Sequence, residues 1–414
     1  MRHTVESDKN RILQKMIEFL GLRTSMIAML SMVILVGMGE NMAERYLPIY
    51  LVALGGGALS VGFLNGMDNL LSALYSFPGG YLSDRLGYKR ALLVFNLIAM
   101  TGYLIVILIP TWWAVFIGAV LFLSWSAISL PATMSLVAAV LPENKRTMGV
   151  SMHSLVRRIP MALGPIIGGL LIAWRGEIAG VRWAFVLALV FALIALLLQQ
   201  IFVEDQKNRG AAEGNPLKLF RQMSPGFIKL LVADILVRFC EQIPYAFMAI
   251  WVINNNGISP VTFGFLTTTE MVTAMLVYIP VAYLADRGSK KPFVAATFAF
   301  FTVFPLILML SHNTWMFVLA FIIRGLKEFG EPTRKALIMD LAPEGQKAGM
   351  FGLYYLLRDV IVSLAAFSAG FLWNISPQVN FLTAFGFGLL GTVFFILFGE
   401  DITINKTGDA KSIG

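Results

Sequence analysis

The sequence predicts an all-α polytopic membrane protein, with twelve transmembrane helices divided between two similar halves. Three observations support this. Apolar residues form 57% of the 414-residue chain and charged residues only 14%, against about 25% charged in a soluble domain. Apolar stretches recur at the roughly 20-residue length that crosses a bilayer. A short loop of mixed charge also occurs twice between such stretches. The first copy is Gly80-Tyr81-Leu82-Ser83-Asp84-Arg85-Leu86-Gly87-Tyr88-Lys89-Arg90, and the second is Ala282-Tyr283-Leu284-Ala285-Asp286-Arg287-Gly288-Ser289-Lys290-Lys291. Asp84 and Asp286 are 202 residues apart, about half the chain. Internal repetition of this kind is the usual basis of a secondary transporter.

The elements follow in order. Residues 1–24 read as a polar tail, in which 11–22 has the apolar spacing of a surface-lying helix or of a frayed start to the first span. Segments 25–52, 58–82, 89–110, 112–141, 147–174 and 182–203 make a first six-helix bundle, 25–203. The longest polar interruption, 204–226, contains Glu204, Asp205, Lys207, Asn208, Arg209, Gly210 and Gly214 and reads as a linker. Segments 227–254, 261–285, 292–311, 314–341, 348–374 and 379–399 make the second bundle, 227–399, and 400–414 is a tail.

The net charge of +8 follows from membrane topology rather than from nucleic-acid binding. Lys and Arg gather in alternate loops, as the positive-inside rule requires. The tail has Arg2, Lys9, Arg11, Lys15 and Arg23; later loops have Arg85, Lys89 and Arg90, Lys145 and Arg146, Lys207, Arg209, Lys218 and Arg221, then Arg287, Lys290, Lys291 and Lys347. The opposite loops offer little beyond Arg175 and Arg182. Both termini and the linker are therefore expected in the cytoplasm, with the bacterial cytoplasmic (inner) membrane as the location. No cleavable signal pattern precedes the first helix, which is expected to serve as an uncleaved targeting segment. Cys240 is the one cysteine, which excludes an internal disulfide and a cysteine-based zinc cluster.

The repeat extends beyond the loops. Val61-Gly62-Phe63-Leu64 aligns with Phe263-Gly264-Phe265-Leu266, and the same register places Asp68 against Glu270. Further on, Leu141-Pro142-Glu143 matches Ala342-Pro343-Glu344, Pro131 matches Pro332, and Arg157 falls against Arg358.

The first loop resembles the signature loop between helices 2 and 3 of the major facilitator superfamily, roughly G-x-L-x-D-R-x-G-x-R/K-R/K. Gly80, Leu82, Asp84, Arg85, Gly87, Lys89 and Arg90 all fit; the second copy keeps Leu284, Asp286, Arg287 and a basic pair but has Ala282 where the first has Gly80. The resemblance implies two six-helix bundles around a central cavity lined by helices 1, 4, 7 and 10, with helix 2 against helix 11 and helix 5 against helix 8. It also implies a cytoplasmic latch in which Asp84 faces a helix N-terminus, where negative charge is favoured. Asp340, Glu143 and Glu344 are then candidate partners for the loop's basic residues.

Charges at membrane depth are costly unless they face water or a partner. Glu40, Glu44 and Arg45 lie in segment 1; Asp234, Arg238 and Glu241 in segment 7; Arg324, Lys327, Glu328, Glu331, Arg334 and Lys335 in segment 10. Spacings of three and four put Glu40 with Glu44, Asp234 with Arg238 and Glu241, and the segment 10 charges together, each group on one helical face. These residues are the expected substrate and proton pathway, with internal ion pairs as the alternative use of the same charges. Segment 4 lacks the stripe: Leu123, Ser126, Ala127, Leu130 and Thr133 stand where segment 10 has Arg324, Lys327, Glu328, Glu331 and Arg334. A two-signed stripe confined to one half suits a polar, anionic or zwitterionic solute. Asp68 with Arg358, and Glu270 with Arg157 or Arg158, are expected as two ion pairs gating the seam between the halves; the alternative is a local pair of Arg358 with Asp359.

Gly164-Pro165-Ile166-Ile167-Gly168-Gly169 in segment 5 resembles the end of the antiporter motif of drug–proton exchangers in the superfamily, which favours export; glycine-mediated helix packing explains the same residues. Carboxylates in poorly hydrated sites exchange protons near neutral pH, so a proton is the expected coupling ion, carried by Glu40, Glu44, Glu241, Glu328 or Glu331, with sodium as the alternative. There is no G-x-x-x-x-G-K-S/T loop for ATP and no metal-binding H-E-x-x-H. The reading is a non-enzymatic, proton-coupled efflux carrier of a small solute, without cofactor or metal, acting as a monomer among membrane lipids. Lipid or lysolipid transport, symport-driven import, multidrug export and a non-transporting receptor or scaffold are the alternatives.

Overall fold

Apolar runs with no water to satisfy the backbone must fold as helices, and the computed structural model is almost wholly helical. It describes residues 24–123, 125, 129, 143–203, 220–285, 289–342, 347–404 and 410–413. The first half comprises α1 (Thr24–Ala43), a 3₁₀ turn at Glu44–Tyr46, α2 (Leu47–Ala53), α3 (Ala58–Leu86), α4 (Tyr88–Leu108), α5 (Trp112–Phe122) and α6 (Glu143–Phe202). The second comprises α7 (Pro225–Tyr245), α8 (Phe247–Ala249), a π-helical turn at Ile250–Asn255, α9 (Pro260–Ala285), α10 (Lys291–Leu310), α11 (Thr314–Leu326), α12 (Glu331–Leu341), α13 (Lys347–Ile375) and α14 (Pro377–Phe398). A short antiparallel hairpin, β1 (Asp401–Ile404) with β2 (Ala410–Ile413), pairs Asp401 with Ile413 near the end of the chain.

Among the described residues, seven helices are long and apolar enough to span a membrane, and the bent pair Pro225–Tyr245 with Phe247–Asn255 makes an eighth. One of the seven, Val156–Phe202, is 47 residues long, about twice the length of a span. Gly176 divides it: its φ of 79° and ψ of 173° lie outside helical geometry, a conformation that glycine adopts without steric cost. Segments 5 and 6 are therefore the two arms of α6. The apolar helices α5 and α11 are shorter. A helix begins in or covers every expected segment, although segment 4 is described only through its first part. Residues 1–23 and most of the 204–226 linker lie outside the described residues.

Segment 10 departs from the expected single helix. It breaks between Leu326 and Glu331 into α11 and α12. Pro332 follows the break and lacks an N–H for the helical ladder. Gly330 at the break donates its N–H to the Thr297 hydroxyl, 2.5 Å away. Segments 1 and 7 are also interrupted, at Glu44–Tyr46 beside Pro48 and at Tyr245–Phe247 after Pro244.

The repeat is visible in the backbone. Gly55 and Gly257, 202 residues apart, both have positive φ, 87° and 68°, and each ends the turn of its half. The halves meet where α3 packs on α13 and where α6 packs on α9, as the superfamily resemblance implies. Equivalent glycines make both crossings possible. A β-carbon on Gly370 would lie 2.7 Å from the Ala58 carbonyl oxygen, and one on Gly169 would lie 2.5 Å from that of Pro260. Gly62 lies against the Gly370 backbone and Gly264 against Pro165 and Ile166. These approaches, with the Tyr46 hydroxyl donating to the carbonyls of Pro165 (2.6 Å) and Pro260 (2.9 Å), draw the halves together at the end opposite the repeated loops. Exposed Trp112, Trp113, Trp174, Trp183 and Trp315 sit towards the same end, as interfacial tryptophans do.

Candidate functional site

The breaks in segments 1, 7 and 10 place polar groups where continuous helices would present only side-chain faces. A cavity of about 250 Å³ lies between the halves. From the first half it is lined by Glu40, Asn41, Glu44, Arg45, Asn65, Asp68, Ser72, Leu123 and Met161, among others. From the second it is lined by Tyr245, Met248, Phe263, Thr267, Glu270, Phe321 and Arg324. Segments 2, 5 and 8 thus join segments 1, 4, 7 and 10 in forming the wall.

The two walls differ in charge. On the second-half wall, Glu270 is 1% exposed and its Oε1 lies 2.8 Å from Arg324 Nε and 3.4 Å from Lys327 Nζ, an ion pair with each. Its Oε2 has no hydrogen-bond partner. Arg324 also contacts the Met248 sulfur and lies over the rings of Tyr245 and Phe304. On the first-half wall stand Glu40, Glu44 and Asp68. Among the described residues no ion pair reaches Glu44 or Asp68, and the Glu44 Oε1 is buried without a hydrogen-bond partner. Arg45 crosses the seam instead, donating to the Tyr245 hydroxyl at 2.9 Å. Asn65 and Asn69 cross it too, donating to the Gln242 backbone oxygen (3.1 Å) and Oε1 (3.2 Å).

Behind the second-half wall runs a chain of ion pairs. Lys327 meets Glu241 at 2.8 Å; Glu241 accepts from Arg238 at 2.5 Å; Arg238 reaches Glu331 at 3.4 Å; Glu331 accepts from Arg334 at 2.7 Å. Arg334, fully buried, then pairs with Asp234, which also accepts from the Tyr354 hydroxyl at 2.9 Å. Lys335 lies 3.5 Å from Glu331. Of the segment 10 charges, only Arg324 lines the cavity; the others pair with Arg158 of segment 5, with charged groups of segments 7 and 8, or within their own segment. Burial explains this arrangement, because an unpaired charge at this depth is costly.

The two expected gate pairs are not formed. Arg358 pairs with its neighbour Asp359 at 2.7 Å and approaches Asp234 at 3.5 Å, while Asp68 faces the cavity beside Ser72. Glu270 is held by Arg324 and Lys327 within its own half, leaving Arg158 to bridge the seam to Glu328 at 3.2 Å. Arg157, half-buried, stands beside it without taking up Glu270.

In the repeated loop, Gly80, Asp84 and Arg85 lie in α3, but the side chains of Asp84 and Arg85, like the whole of Asp286 and Arg287, fall outside the described residues. Gly87, with φ of 81°, separates α3 from α4. Lys89 donates to the Gln200 carbonyl at 2.9 Å, tying segments 3 and 6. Arg90 is exposed. Asp340 pairs with Lys290 of the second copy; Glu344 and the Glu143 side chain lie outside the described residues. Cys240 packs in the second half and donates to the Phe301 carbonyl. The glycines of segment 5 serve close packing: Gly164 lies against Asn41, and Gly168 against Tyr46.

Sequence reasoning missed Tyr245, Asn65, Asn69 and Gln242. Asn65 and Asn69 are four apart on the face that carries Asp68, a polar stripe within an apolar segment that could have marked them.

The sequence model of the Major Facilitator Superfamily matches residues 29–232 and 230–412. An uncharacterized MFS-type transporter of Methanocaldococcus jannaschii is 22% identical over 358 residues, covering 83% of this chain and 87% of the relative. The lincomycin resistance protein LmrB of Listeria monocytogenes is 33% identical over 107 residues, 26% of this chain and 22% of that protein. Among solved structures, the nucleoside transporter NupG superposes with a TM-score of 0.77 at 13% identity, covering 90% of this chain and 99% of that one; at that identity the likeness is one of fold.

Proposed function

Since this chain belongs to the Major Facilitator Superfamily and is an integral, multi-pass membrane transporter of that type, we propose that it moves a small polar solute through the central cavity by proton-coupled alternating access, in the direction of efflux. The observation that carries this is the cavity itself: it lies on the seam between the halves, is closed at one end by the glycine crossings, and is lined by ionisable groups from both sides. With both termini cytoplasmic, the closed end faces outward and this conformation is the inward-facing member of the cycle. The first-half carboxylates Glu40 and Glu44 suit proton exchange, since the cations of the second half are already engaged. The name of the Listeria relative favours efflux.

The test is flux in proteoliposomes carrying an imposed pH gradient and a trapped pH-sensitive dye, with amino acids, short peptides and nucleosides as probes. A transported probe collapses the gradient, and the collapse is lost in at least one of Glu40→Gln, Glu44→Gln, Glu241→Gln, Glu328→Gln and Glu331→Gln. Unchanged pH-dependent flux in all five ends the proton assignment. Lipid transport, the second reading, draws on one observation: an apolar groove lined by Leu59, Phe63, Trp112, Phe116, Phe367 and Phe371 beside the α3–α13 crossing. Proton-driven movement of a fluorescent lysolipid, with none of the polar probes carried, would favour it.

A further inference from the structure

The internal repeat gives the cavity an electrostatic template. Asp68 and Glu270 are equivalent positions, and both line the cavity. Glu270 has its cation, Arg324, at 2.8 Å. In the repeat register the position equivalent to Arg324 is Leu123, and Leu123 also lines the cavity. The first half therefore keeps the carboxylate and lacks the guanidinium that neutralises it in the second.

No other cation of the described residues takes that place. Arg324 and Lys327 are held on Glu270 and Glu241, Arg45 donates to Tyr245, and Arg358 is held by Asp359 and Asp234. Two carboxylate oxygens without a hydrogen-bond partner among the described residues accompany the gap: Oε1 of Glu44, and Oε2 of Glu270, a residue 1% exposed. Both residues line the cavity. Leu123, Met161, Phe263 and Phe321 supply apolar surface between the charges. The volume of about 250 Å³ leaves room for an organic solute of modest size.

Resting on the transporter reading, we propose that the cavity takes a solute bearing a protonated amine, which Glu44 and Asp68 hold in the place that Arg324 fills beside Glu270. The amine donates to the carboxylates, and its carbon skeleton lies on the apolar surface towards Phe263 and Phe321. Arg45 lines the same cavity and donates to the Tyr245 hydroxyl, where a second, anionic group on the solute would meet it.

The test uses the purified full chain and two five-carbon probes of matched size, 1,5-diaminopentane and glutarate, with sodium chloride at equal ionic strength as the control. Thermal unfolding is followed in the wild type and in the double variant Glu44→Gln, Asp68→Asn. The expected result is a rise in melting temperature with the diamine only, lost in the double variant. A rise with glutarate or an equal rise with sodium chloride overturns the proposal, as does a diamine effect that survives the double substitution. If the double variant does not fold, or no probe shifts the wild type, a ligand-free measurement decides. Met161→Cys in a Cys240→Ala background is reacted with cationic and anionic thiosulfonates of similar size. At least tenfold faster reaction with the cationic reagent supports the proposal; parity or an anionic preference overturns it. Glutarate binding accompanied by proton-coupled glutarate flux would leave the transporter reading standing while removing the amine.

Discussion

Asp68 and Glu270 occupy equivalent positions 202 residues apart and line one cavity, yet their surroundings are opposite. Glu270 belongs to a chain of ion pairs that runs through Arg324, Lys327, Glu241, Arg238, Glu331, Arg334 and Asp234. Asp68 has Ser72 as a hydrogen-bond partner and Leu123 where its counterpart has an arginine. A duplicated architecture constrains helix crossings equally in both halves, since both seams need close backbone approach. It does not constrain charge in the same way, because each buried carboxylate finds its counterion among whichever residues its own half supplies. The second half is self-neutralised, whereas on the first-half wall no ion pair among the described residues reaches Glu44 or Asp68.

The strongest attempt to break this comparison attacks the second half. Arg334 is fully buried and holds both Asp234 and Glu331. Arg334→Met leaves Asp234 under-compensated, and removing one member of a buried pair costs about 3–5 kcal/mol. Thermal or denaturant unfolding in detergent measures it. Glu270→Gln strands Arg324 and part of Lys327, with an expected cost of about 3 kcal/mol. If both variants unfold within about 1 kcal/mol of the wild type, the ion chain is solvated rather than buried and the halves are electrostatically alike.

A middle-sized effect tests what the halves share. Gly370→Val places side-chain atoms against the Ala58 carbonyl. Overpacking of this kind costs about 1–3 kcal/mol. The cost falls on the closed end alone, so spin labels placed on Ser60 and Ser368 should move apart. Gly169→Val should open the α6–α9 crossing in the same way. Opening in one variant and not the other would show that the two seams are not equivalent.

The shared features were legible in sequence and the differing ones only in part. The repeated loops, the pairing of Gly62 with Gly264 and the alternation of apolar segments identified the two halves, because duplication preserves residue spacing and spacing fixes which glycines meet. The buried charges were visible as residue types. Their partners were not: Arg358 has Asp359 beside it in sequence and Asp234 near it in space, and only packing decides that Asp68 is left out. The break in segment 10 was foreshadowed by Gly330 and Pro332, but hydropathy averages over such a break. Tyr245 gave little sequence signal, since a tyrosine in an apolar segment reads as packing until Arg45 is found donating to it.

The smallest expected stability change is the one that most sharpens the contrast. Asp68→Asn keeps shape and hydrogen-bonding capacity at a position with no ion pair to lose among the described residues. The substitution removes the cost of holding a charge away from bulk water, so stability should stay within about 0.5 kcal/mol of the wild type or rise slightly. Flux through the cavity should nonetheless fall if the proposed solute site is right, because the lost charge lines the cavity. Glu270→Gln should do the reverse in proportion, with its larger effect on unfolding. Measured side by side in detergent unfolding and proteoliposome flux, the two equivalent substitutions separate a carboxylate that supports the fold from one that serves the cavity. Equal losses of stability at both would mean that Asp68 has a structural counterion, and the asymmetry between the walls would be gone.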